Sequence, residues 1–137
     1  MAKGGFEATS ALNDNAIDDQ TFLETCDQIF EERQKQWLAL LDKPDDFDVA
    51  ACFFYDIDRI CHMMWRHMDA SHPAHDRNAP EAFRNAVRSA YERSDRLVGE
   101  VMKRLPEDCV LLICSDHGFQ PFYRAVNLNR WLIQQGY

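Results

Sequence analysis

The sequence is short of several things, and each shortage excludes something. No apolar run approaches the length needed to cross a bilayer, and the start, Met1-Ala2-Lys3-Gly4-Gly5, lacks the apolar core of a secretory signal. Basic charge is scarce: 15 Lys and Arg stand against 23 Asp and Glu, for a formal net charge of −8. Such a surface repels nucleic acid, and no basic stripe with interleaved aromatics compensates for it. There is no C-x-x-C pair, and the five cysteines (Cys26, Cys52, Cys61, Cys109, Cys114) are odd in number. That excludes a disulfide framework and suits small buried hydrophobes in a reducing compartment, so a cytoplasmic location is expected. Repeats and low-complexity tracts are also absent. What is left is a globular composition, 46% hydrophobic and 28% charged over 137 residues, enough for one domain of ordinary size.

Along the chain, residues 1–16 are small and polar and read as an irregular arm, and residues 17–137 as a partial α/β domain. From about Asp18 to Leu41 the apolar positions Phe22, Leu23, Cys26, Ile29, Phe30, Trp37, Leu38 and Leu41 recur at three- and four-residue steps, which predicts an amphipathic helix. Asp18 or Asp19 can cap its start, and Lys43-Pro44-Asp45-Asp46 ends it. Phe47 to Tyr55 is an apolar run that reads as a buried strand, followed by a helical pattern through Ile60, Met63, Met64, Trp65 and Met68. Asp69 to Pro80 is a loop, and a long helix is predicted from Glu81 to Leu105. Cys109 to Cys114 is a second buried strand. A loop from Phe119 to Ala125 and a helix from Val126 to Gln135, stopped by Gly136, complete the order. Strand, long helix, strand is a βαβ unit, so the expected fold is α/β, a portion of a parallel sheet with flanking helices. Two strands do not make a sheet that stands alone, and self-association through the open edges is expected.

Both strands end in ligand-type side chains. Asp58 and His62 are one helical turn apart and can face a common point. Asp116 and His117 are adjacent, ahead of Gly118, a residue that lets the chain turn sharply. In open α/β sheets, ligands bind outside the carboxyl ends of the strands. Two carboxylates and two imidazoles there suit a pair of divalent ions such as zinc or manganese. Two such ions clamp a transferring phosphoryl group, and they would also attract a phosphate ester to an acidic surface.

The residues Y-D-I-D-R-I-C-H-M-M-W-R-H, then S-D-H-G-F, then V-N-L-N-R-W-L-I-Q-Q-G-Y, together resemble the alkaline phosphatase superfamily. The branch they resemble is the type I phosphodiesterase/nucleotide pyrophosphatase group, over about Ala11 to Tyr137. The resemblance implies an incomplete alkaline-phosphatase-like core in which Asp58 and His62 bind one ion, and Asp116 and His117 the other. It implies a phosphate-ester small molecule as substrate. It also implies a Thr or Ser nucleophile, a further Asp and a further His, none of which this stretch contains. The chain is therefore expected to be an internal part of the enzyme that does not turn over substrate alone. The rivals are a non-catalytic metal-binding or interaction module, and a phosphomutase or sulfatase of the same superfamily.

Each choice has a plainer counterpart. Asp116 can cap the turn after a strand, and Asp58 can cap a helix. Asp56 competes with Asp58 for the ligand role, and the D-R-x-x-H register favours Asp58. His67, His72 and His75 read as imidazoles of a polar loop near solvent. Cys61 and Cys114 read as space-filling, and Ser115 has no free base beside it to make it a nucleophile. The charges from Glu81 to Arg104 read as the solvated face of a helix.

Overall fold

The computed structural model describes residues 4–13, 16–43 and 47–137, with residues 4–8 as backbone only. Five helices follow one another: α1 (Gly4–Asn13), α2 (Asp19–Leu41), α3 (Asp56–Met68), α4 (Glu81–Met102) and α5 (Leu128–Gln134). Among the described residues there is no strand, and this corrects the α/β expectation: the fold seen is all-helical. Phe47–Tyr55 and Cys109–Cys114 carry no regular secondary structure and pair with no strand. Much of their apolar surface reaches solvent, with Val49 87% and Leu112 83% exposed, although Phe47 and Phe54 pack on the helices. The physical reason lies in where each element finds its hydrogen bonds. A helix satisfies its backbone within its own segment, whereas a strand needs a neighbour at matched register, and these two segments do not provide one for each other.

The helices follow the periodicity closely. Asp18 caps α2, its carboxylate accepting the Thr21 amide at 2.8 Å. The expected terminator at Pro44-Asp45-Asp46 lies outside the described residues; α2 closes at Leu41 with the Asp42 amide donating to Leu38 O at 3.1 Å. Where the sequence suggests an irregular arm, Gly4–Asn13 is helical and sends Leu12 into the core. The long helix ends at Met102, three residues before the expected Leu105. At the far end Gly136, with φ of 84°, takes the left-handed conformation that stops α5.

Two apolar clusters hold α2, α3 and α4 together. One joins Leu12, Phe22 and Cys26 to Ile60, Cys61, Met63 and Met64 of α3 and to Ala86, Val87 and Ala90 of α4. The small α4 residues let the long helix approach α3 closely. The other cluster joins Phe30 and Leu41 to Leu97 and Val101, with the Phe54 ring tilted against Phe30 at 5.4 Å. Between the clusters stands Arg93. Its guanidinium meets Asp56 at 3.2 Å, pairs with Asp27 and lies 4.2 Å above the Phe30 ring. The charged face of α4 is thus not wholly solvated. Cys26 and Cys61 are buried as expected, while Cys109 and Cys114 are exposed because the segment carrying them packs on nothing. No described helix is long and apolar enough to cross a membrane.

Candidate functional site

Asp58 and His62 stand on the first two turns of α3. Helical spacing puts them on one side, and His62 Nε2 lies 3.4 Å from Asp58 Oδ1. Asp58 also sits where a carboxylate is favoured, beside the unsatisfied amides of a helix start whose cap, Tyr55, offers no side-chain acceptor. The segment after α4 then returns past this end of α3. His117 Nε2 comes within 3.9 Å of Asp58 Oδ1 and 3.5 Å of Asp116 Oδ2. The four sequence-chosen side chains therefore form a string, His62–Asp58–His117–Asp116, contributed by two elements 54 residues apart at their nearest members.

Asp58 Oδ1, at the centre of that string, is buried without any hydrogen-bond partner, although the side chain as a whole is half-exposed. A buried unpaired carboxylate oxygen is costly unless something positive compensates it. Each Asp/His pair offers one oxygen and one nitrogen that could ligate a cation. Oxygen and nitrogen ligands of a tetrahedral ion at about 2.0–2.2 Å lie roughly 3.3–3.6 Å apart. The Asp58–His62 and Asp116–His117 spacings, 3.4 and 3.5 Å, fall in that range. Still, among the described residues no three Asp, Glu, His or Cys side chains gather on one point. Each pair offers two donors, with Asp116 turned largely outward.

The turn carrying His117 is tied by local bonds. Ser115 Oγ donates to the His117 carbonyl at 2.6 Å, the His117 amide donates to Asp116 Oδ1 at 3.1 Å, and His117 Nδ1 meets the Gly118 carbonyl at 2.9 Å. With Nδ1 holding the proton toward that carbonyl, Nε2 keeps its lone pair for the cluster in the neutral ring. The same carbonyl, then Asp116 and Asp58, stabilise the protonated ring and raise the His117 pKa above its ordinary value. Gly118 itself has no positive φ and no neighbour that a Cβ would strike, so the turn does not depend on glycine.

The structure also separates the competing residues. Asp56 is buried against Arg93, which makes it a part of the helix packing, not of the string. His67, expected near solvent, is buried in α3, with Nε2 3.0 Å from Asp19 Oδ2 and its ring 5.5 Å from Phe83. Arg66 joins it on Asp19 at 2.6 Å. His72 and His75 stay in the loop, where His75 Nδ1 meets the Arg66 carbonyl at 2.9 Å. Ser115 Oγ is engaged with backbone, donating to the His117 carbonyl.

One contributor is part of a quoted motif, but its role is not legible from it. Phe119 lies edge-on to the His62 ring at 4.8 Å and stacked on Trp65 at 5.3 Å. It closes the S-D-H-G-F motif, which does not say which ring it meets.

No curated protein and no solved structure matches the chain. A family model does, over residues 8–137, and it is described as type I phosphodiesterase / nucleotide pyrophosphatase. With nearly the whole length matched, and the Asp/His string inside the matched region, this chain belongs to the type I phosphodiesterase/nucleotide pyrophosphatase family.

Proposed function

We propose that the chain serves a metal-dependent hydrolase acting on phosphate esters, with Asp58, His62, Asp116 and His117 as ligands to divalent ions, zinc or manganese. The observation that carries this reading is the orphaned Asp58 Oδ1 with an imidazole nitrogen on either side. Polarisation of a phosphoryl oxygen is what a bound divalent ion supplies. The protein's own contribution is placement and charge. Asp58 and His62 are held in register by the helix, and His117 is held in one tautomer by its bond to the Gly118 carbonyl. Without a cation, two carboxylates on a chain of net charge −8 repel a phosphate; with one, the same carboxylates recruit it.

Ser115 Oγ donates to the His117 carbonyl and is not the attacking hydroxyl in this reading. In this reading the nucleophile and the remaining ligands come from outside these 137 residues. The wide apolar exposure along Val110–Ile113 and Phe122–Ile133 supports a partner surface there.

Manganese titration followed by electron paramagnetic resonance tests the ligand assignment. Weak binding is expected for the wild-type chain, reduced at least about tenfold by Asp58→Ala and by Asp116→Ala. Absence of binding, or binding indifferent to both substitutions, refutes the assignment. Hydrolysis of a bis-aryl phosphate by the chain alone, abolished by Asp116→Ala, refutes the claim that the hydroxyl lies elsewhere.

A further inference from the structure

The turn bearing Asp116 and His117 belongs to a stretch with little else to hold it. Residues 106–118 are all exposed, and so are residues 120–131; Phe119 alone between them is half-buried. That one ring packs against the apolar cluster formed by α1–α4. It does so at a particular place, stacked on Trp65 with its edge toward His62. Trp65 follows His62 by three residues, so Phe119 fits over one ridge of α3 and touches the exposed imidazole from that side. A second tie lies four residues on, where the Tyr123 hydroxyl donates to Asp69 Oδ2 and its ring meets His72 at 5.8 Å. Phe119 and Tyr123 thus lay the segment along α3 from its middle to its C-terminal end.

We infer that Phe119 is the positioning residue that joins the two halves of the site: it seats the Ser115–Gly118 turn against α3 and fixes the His62 ring facing Asp58. This rests on the ligand assignment proposed above. The geometry follows from chain connectivity. His117 is two residues from Phe119, about 7 Å of extended chain at most. Whatever fixes the Phe119 ring therefore fixes His117 within reach of Asp58. Without that anchor, nothing else from residue 106 to 118 is packed in the fold, and the Asp116–His117 pair is free to swing away from Asp58–His62. The edge-on ring does a second job, because it removes one of the orientations open to the otherwise exposed His62. Tyr123 acts as a supporting clip and is expected to matter less, since its bond is exposed.

The test compares manganese affinity with fold integrity in the full chain. Phe119→Leu keeps apolar bulk and removes the ring. It is expected to weaken manganese binding by about 10–100-fold, the range for residues that orient metal ligands. Phe119→Tyr keeps the ring and is expected to restore affinity to within about twofold of wild type. Tyr123→Phe is expected to cost only a few-fold. Leu23→Ala is the control for a merely structural role. Leu23, on α2, packs on the same apolar cluster, and its loss is expected to destabilise the fold and leave affinity unchanged. Equal affinity for Phe119→Leu and wild type, or equal losses for Phe119→Leu and Leu23→Ala, overturns the inference.

A metal-free readout separates this inference from the assignment beneath it. In the apo chain, imidazole NMR is expected to show Phe119–His62 proton contacts and to show His117 signals that move in Phe119→Leu. If wild type binds no manganese, the ligand assignment fails. The anchoring role then stands if those contacts and shifts are seen, and falls if the His117 signals are the same in both proteins.

Discussion

Arg93 allows the packing argument to be tested quantitatively. Replacing it with Met keeps the apolar stem but removes the charge facing Asp56, whose side chain is 5% exposed, and the cation lying on the Phe30 ring. Removing one partner of a buried pair costs about 3–5 kcal/mol, because the other charge stays behind in a poor solvent. The lost cation–π contact belongs to the same event and is worth about 0.5–2 kcal/mol. Asp27, the other partner, is more than half-exposed and adds little. Against a total stability of about 5–15 kcal/mol for a domain, a loss of about 3–5 kcal/mol is large. Urea unfolding followed by circular dichroism reads it directly.

The pH dependence gives a second readout of the same variant. Burial raises the Asp56 pKa above 3.8 even though Arg93 pulls it down. The native state therefore binds its proton more tightly than the unfolded chain does. Stability contributed by this group is present below the ordinary carboxyl range and lost as pH rises through the raised value. Without Arg93 the pKa climbs further, so the deficit of Arg93→Met is greatest near neutrality and shrinks on acidification. Arg93→Met combined with Asp56→Leu removes both charges and is expected to recover most of the loss. A single-mutant deficit under about 1 kcal/mol, or one that does not change with pH, refutes the view of Arg93 as a buried tie.

Two further expectations concern the cysteines and the exposed apolar segments. Burial pushes the Cys26 and Cys61 thiols up to about 11, whereas Cys109 and Cys114 are exposed, so a disulfide reagent is expected to titrate the latter pair quickly and the former only on unfolding; four fast thiols among these would contradict the packing of α2 on α3. With Leu112 83% and Phe122 72% exposed, the chain is expected to self-associate in ultracentrifugation and to be made more monomeric by Leu112→Glu. A sharp monomer at high concentration would count against an adhesive surface there.

What could be read from the residues divides along a physical line. Helix positions are local information: the steps Phe22, Cys26, Phe30 and the Asp18 cap are set within a few residues, and α2 begins and ends where the pattern says. Asp58 and His62 share a face for the same local reason, and Asp116 and His117 are neighbours in the chain, so the candidate ligands were legible as two pairs. Their meeting was not, because it depends on Asp58 and His117, 59 residues apart in the chain, coming together and on Phe119 finding Trp65. Nor was the part played by Asp56 and Arg93, since a charge reads as solvated until another helix covers it. The apolar runs at Phe47–Tyr55 and Cys109–Cys114 mark the same boundary from the other side. Composition shows that such a run favours burial, but only tertiary structure supplies the neighbour: Phe47 and Phe54 find the Phe30 cluster, whereas Cys109–Cys114 stays exposed, and among the described residues neither run has a partner strand.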